Sequence, residues 1–184
     1  MHPRVAELVD LLTRGRAALL AAVASVPADQ LEQRPNSDGW SVAEVLDHLL
    51  MVESGSARLL AKRLMRAREA GLGPETETSS VLDRLPGYDP ATSPPRVAPE
   101  MVRPREGATA EAALAGLHEA RETLVGVLRD GDGLALEQVT ALHPVLGDID
   151  LYRWVLFIAK HEDRHERQIR AIAAALSTWA ARED

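Results

Sequence analysis

Five consecutive residues, HEDRH at positions 161–165, carry the most pointed chemistry in this chain. His161 and His165 stand four apart inside YRWVLFIAKHEDRHERQIRAIAAAL, a run that reads as one long helix. Residues four apart are neighbours on one helical face. With Ile158 as the reference direction, Trp154, His161, His165, Ile169, Ile172 and Leu176 fall within about 60° of it. Both imidazoles therefore lie on the inward stripe. Such a pair either converges on one cation or forms a pair of hydrogen-bonded core histidines. A third histidine, His48, sits about 60° from Val45, at the edge of the inward stripe of a second helix. Three neutral imidazoles suit a divalent ion such as Zn, Ni, Co or Fe(II). Three protein ligands leave a coordination position for water or substrate. A metal held this way lowers the pKa of a bound water or thiol and makes a nucleophile near neutral pH.

Other side chains could serve such a centre. HEDRH also matches H-E-x-x-H, in which Glu162 would act as general base. The nineteen residues after His165 hold no histidine to complete a peptidase site, so that pattern stands alone. Glu162 lies about 40° from the inward direction and Glu44 near 100° from Val45. Each is a candidate proton acceptor, set against a solvent-facing role for both and a capping role for Glu44. Arg121 shares an apolar face with Leu114, Leu117, Val125 and Leu128. It either snorkels past the core edge or receives a substrate anion. His143, before Pro144 in a loop, is placed to border the pocket. His2, His118 and His143 are expected outside the metal's ligand set.

Four helices must position these groups. The spacing predicts helices over residues 3–26, 42–70, 109–130 and 148–180. Val5, Leu8, Leu12, Leu19, Val23 and Val26 mark the first, which Pro27 stops. Ser41 and Glu44 form a capping-box pattern for the second, whose inward stripe is Val45, Leu49, Val52, Leu59 and Leu60. Thr109 and Asp148 are placed to cap the third and fourth. Seven of the eleven prolines fall in residues 71–107, a density no helix survives. That long connection is either a plain crossover, which would let helices two and three run parallel, or a lid over a site. Residues 131–147 read as a turn-rich loop, and no strand of consequence is expected. The result is an all-α, single-domain four-helix bundle spanning residues 1–184.

Composition narrows the function classes. The chain has 184 residues, 46% of them apolar, which is enough for one full core. Aromatics make up only 3%, so Leu, Val, Ile and Ala must build it. With no cysteine, any metal must be held by His, Asp or Glu. A net charge of -7 with interspersed arginines argues against a nucleic-acid surface. No apolar run approaches a membrane span, and MHPRVAELVDLL lacks a signal-peptide core. A cytoplasmic protein with a small-molecule substrate is expected.

GWSVAEVLDHL at 39–49 and HPVLGDIDLYRWVLFIAKHEDRHERQI at 143–169 together resemble the signatures of the DinB/YfiT-like superfamily. The resemblance spans nearly the whole chain. It implies a bundle in up-down-down-up order, a divalent metal on His48, His161 and His165, and a homodimer. It also implies metal activation of a low-molecular-weight thiol (bacillithiol, mycothiol or glutathione) in a transferase or isomerase, or else a metal-dependent hydrolase. A non-catalytic metal-binding or stress-response bundle is the alternative of a different class.

Overall fold

The structure of the protein, a computed structural model, describes residues 1–86 and 97–180. Four helices dominate it: α1 (Pro3–Ala24), α2 (Val42–Glu69), α3 (Ala110–Asp130) and α4 (Leu151–Ala180). The chain is an all-α four-helix bundle. Their starts follow local chemistry. Pro3 occupies the first turn of α1, where its missing N–H costs nothing. Ser41 and Glu44 complete a reciprocal capping box on α2. Thr109 accepts from the Ala112 N–H to open α3.

The pairings fix the helix directions. Leu50 packs on Gly116 while Leu64 packs near Gly131, so α2 and α3 run the same way. Leu12 meets Arg121 and Arg16 meets Leu117, so α1 opposes α3. Arg4 lies over Tyr152 and Gly15 approaches Glu162, so α1 and α4 run together. The parallel pair needs a connection as long as the bundle, and the proline-rich crossover provides it. Its first described stretch is tied down by buried Arg4, which binds Glu75 at 3.0 Å and the Ser79 carbonyl at 2.8 Å. The Tyr152 hydroxyl also donates to Glu75, at 2.7 Å. Its second stretch carries a 3₁₀ turn, Glu100–Val102, before α3. Residues 87–96 of the expected crossover lie outside the described residues.

One expectation fails. Where a turn-rich loop is predicted, Thr140–His143 (β1) and Gly147–Asp150 (β2) pair as an antiparallel hairpin, with His143 opposite Gly147. Gly147, at φ 74°, makes the turn back that a side chain would strain. Asp148 consequently sits in β2 and does not cap α4. That role falls to Asp150, whose Oδ1 accepts from the Arg153 N–H at 2.9 Å. Among the described residues this hairpin is the only sheet, and no helix is long and apolar enough to cross a membrane.

The interior has two apolar halves. One is built from residues such as Leu8, Leu12, Leu60, Leu64, Leu124, Leu128 and Val155. The other holds Leu19, Val23, Leu46, Leu49, Leu117, Ile169 and Leu176. Between them lies a charged layer to which each helix gives one side chain. Arg16 binds Glu53 at 2.7 Å and Glu162 at 2.6 Å. Arg121 binds Glu53 at 2.5 Å and Glu162 at 2.9 Å. Remaining guanidinium donors reach the Leu117 and Leu12 carbonyls. Two cations and two anions thus close a neutral ring in which every guanidinium nitrogen and every carboxylate oxygen has a partner. Drawing Glu53 inward turns α2, so Val52 and Leu59, expected on its inward stripe, end up half-buried. Glu53→Leu removes one carboxylate from between the buried Arg121 and half-buried Arg16 guanidiniums. Its expected cost is about 3–5 kcal/mol of folding stability, measurable by urea denaturation. A loss below about 1 kcal/mol would show that the ring does not hold the waist together.

Candidate metal centre

The waist also carries the histidines. On α4, His161 immediately precedes the ring residue Glu162, and a helical step of about 100° turns it from the α1–α3 side toward α2. His165, one turn on, lies above it. On α2, His48 stands five residues before the ring residue Glu53. The ligating atoms of the three gather within 4.8 Å of one another. His48 Nε2 lies 3.3 Å from His161 Nε2, and His165 Nε2 lies 3.2 Å from it. His48 and His165 are buried and His161 half-buried. The indole of Trp40 flanks His48 at 5.2 Å between centroids, and the Phe157 ring stacks on His161 at 5.3 Å.

Proton positions decide what such a cluster can hold. His48 Nδ1 lies 2.6 Å from the Val102 carbonyl, and His165 Nδ1 lies 2.7 Å from the Gln168 Oε1. An oxygen acceptor at Nδ1 places the proton there and leaves Nε2 as a bare lone pair. Two lone pairs then face the Nε2 of His161, which has at most one proton to offer. At least one pair of nitrogens is therefore set lone pair against lone pair, an arrangement that a cation between them relieves. The spacing agrees. Nitrogens about 2.0–2.1 Å from a tetrahedral ion stand about 3.4 Å apart. The three imidazoles fit a divalent metal.

The rings are also held neutral. Burial lowers the pKa of His48, partly offset by Val102 and Asp47. Burial drives His161 well below its ordinary value, and His165 and His48 push the same way. His165 falls to about 3, through burial and then its neighbour His48.

The other candidate residues are placed differently. Glu162 is committed to the ring through Arg16 and Arg121, and so is not aimed at the cluster as a base. Glu44 closes the α2 capping box and pairs with Arg34. Arg121 neither snorkels nor stands open to a substrate anion. It is buried, and although burial opposes its charge, Glu53 and Glu162 hold its pKa above the ordinary value. His143 packs edge-on against Phe157 at 4.3 Å between centroids, which puts it one ring away from His161. Its Nδ1 accepts from the Val145 and Leu146 amides, both at 3.1 Å, so it fastens the hairpin turn. His2 caps α1, and His118 is exposed on α3. Sequence reasoning passed over Arg16, Glu53, Val102 and Gln168. The two charged residues had a signal: each follows an inward leucine, Leu12 or Leu49, by four. Gln168 stands three after His165 on the same face, whereas nothing local marks Val102.

Comparison with known proteins adds three findings. The family model described as the DinB superfamily matches residues 11–169. The uncharacterized protein YuaE of Bacillus subtilis (strain 168) is 27% identical over 148 residues, covering 78% of this chain and 83% of that one. A crystal structure of TT2238, a four-helix bundle protein, superposes with a TM-score of 0.60 at 22% identity, covering 91% of this chain and 98% of that one. That likeness concerns the fold.

The depressed histidines make stability depend on pH. Unfolded, such rings take protons near pH 6.5; folded, they take them only at lower pH. Between those values the unfolded chain binds more protons. The metal-free protein should therefore lose stability as pH falls from about 6.5 toward 3, by up to about 1.4 kcal/mol per pH unit for each ring kept neutral. Urea denaturation of the metal-stripped chain and its His165→Gln variant, from pH 7 to pH 4, should give the variant the shallower slope. Equal slopes would contradict the assignment.

Proposed function

Since this chain belongs to the DinB superfamily and gathers three imidazoles at a metal's spacing, we propose that it is a divalent-metal protein that activates a low-molecular-weight thiol, or water, for transfer to a small electrophile. The observation that carries the metal reading is the set of Nε2 lone pairs facing one another at 3.2 and 3.3 Å. His48, His161 and His165 are the ligands, and Val102 and Gln168 fix the tautomers of the first and last. When bound, the ion supplies the positive charge that turns a thiol of pKa near 8.5 into a thiolate at neutral pH. Trp40 packs on His48 and Phe157 on one face of His161, and of the three ligands His161 alone is half-buried, so a substrate would approach from beside it. Glu162 and Glu44 are engaged elsewhere, so on this reading the thiol proton passes to solvent. Water in place of the thiol gives the hydrolase form of the same reading.

One observation favours a second reading. The two carboxylates placed as proton acceptors, Glu162 and Glu44, serve the ring and the helix cap instead, which suits a metal-binding bundle without acid–base chemistry.

Metal analysis of the purified chain should find one divalent ion per chain, and His161→Ala should lose it. Thiol transfer to a generic electrophile, screened with bacillithiol, mycothiol and glutathione, should need that metal and collapse in His165→Ala. A filled site that turns over no thiol supports the non-catalytic bundle. A chain that takes up no metal overturns both readings.

A further inference from the structure

The crossover reaches the candidate metal centre from outside the bundle and supplies one of its hydrogen-bond acceptors. Val102, in the 3₁₀ turn Glu100–Val102, presents its carbonyl to His48 Nδ1 at 2.6 Å. Three residues later the same strap is anchored beside His48. Asp47 is 1% exposed. Its carboxylate accepts from the Arg105 backbone N–H at 2.8 Å, from Arg105 Nε at 3.1 Å and from Arg105 Nη2 at 2.5 Å. Burial works against that carboxylate, yet Arg105 holds its pKa below the ordinary range. Asp47 and His48 are consecutive on α2, so one dipeptide receives both contacts. The segment's own turn bonds, Val102 to Pro99 and Arg103 to Glu100, keep the carbonyl at a fixed place relative to that anchor.

Resting on the metal reading above, we propose that Arg105 is a positioning residue for His48, and that docking of residues 97–105 and metal binding reinforce each other. The physical link is the imidazole ring. An acceptor at Nδ1 fixes the tautomer and raises the basicity of Nε2, and loss of such a partner costs about 10–100-fold in metal affinity. A cation on Nε2 in turn makes the Nδ1–H a stronger donor to Val102. Coupling of this kind is reciprocal, so metal must hold the strap by the same factor with which the strap holds metal. The side chain of Arg105 is 65% exposed, so the anchor can be altered from the surface without opening the apolar core.

The test measures Zn²⁺ affinity by competition with a chromophoric chelator, and backbone amide exchange over residues 97–106 with and without Zn²⁺. Arg105→Gln is expected to weaken Zn²⁺ binding about tenfold at unchanged stoichiometry, with Arg105→Lys between it and the parent. The double variant Asp47→Asn, Arg105→Gln leaves no orphaned charge and should weaken binding to a similar degree. In the parent chain, Zn²⁺ should slow exchange over 97–106. Unchanged affinity in both Gln-bearing variants, or exchange over 97–106 indifferent to Zn²⁺ in the parent, overturns the proposal while leaving the metal reading intact. A parent chain that binds no Zn²⁺ or other divalent ion overturns the metal reading, and this proposal with it. Should Arg105→Gln fail to fold, the Lys variant and the exchange of the parent chain decide.

Discussion

Four charges, three of them buried and the fourth half-buried, set the geometry of this bundle. Glu53, Arg121 and Glu162 lose nearly all their water and Arg16 much of it, and the hydrogen bonds that replace it run to one another and to two helix carbonyls. An apolar layer tolerates a helix sliding or rotating by a fraction of a turn, because dispersion contacts are interchangeable. A ring of charge-assisted hydrogen bonds does not, since a shift of an ångström leaves a charge unpaired in a low dielectric, at a cost of several kcal/mol. All four helices are thereby locked in register at one level. His161 is one residue from that level and His48 five, so their meeting follows from the ring. Gly15 belongs to the same constraint: a Cβ there would stand 3.1 Å from Glu162 Oε2, the oxygen that binds Arg121.

Much of this was legible because helical periodicity is a strong signal over long runs. The inward direction of His161 and His165 followed from Ile158 and Ile169 on the same stripe. The capping box at Ser41 and Glu44 was equally plain, and it claims the carboxylate that a catalytic role would also have wanted. The ring was half visible. Arg121 stood out as a cation on an apolar face, yet snorkelling and anion binding were the explanations that came first. The pattern that resolves it needs all four helices together. Leu12, Leu49, Leu117 and Ile158 are each followed four residues later by a charge, with two positive and two negative. A single amphipathic helix with one inward charge is ambiguous; four with cancelling charges at one level are not.

The hairpin was missed for a different reason. In Thr140–His143 the buried positions are Ala141 and His143, and Leu142 points to solvent. The hydrophobic order is therefore the reverse of what a half-buried strand shows, and four residues are too few to average over. The informative signal was the turn, Pro144 with Gly147 three residues later between short β-compatible runs. Recognising the pair would have moved the helix cap from Asp148 to Asp150. Val102 was out of reach altogether, since its part is played by a backbone carbonyl, and any residue type offers one.

The division of the interior into two apolar halves by a polar waist has a consequence for how this sequence is free to vary. The apolar side chains of the two halves form separate clusters, so a methyl group lost in one half and one gained in the other act nearly independently and their effects add. The waist behaves oppositely. No single member can change without stranding a partner, and a tolerated change there has to arrive as a matched pair on two different helices. Within one bundle, the chain therefore holds two regions where drift proceeds one residue at a time. A single layer joins them, and its history must be written in concerted steps.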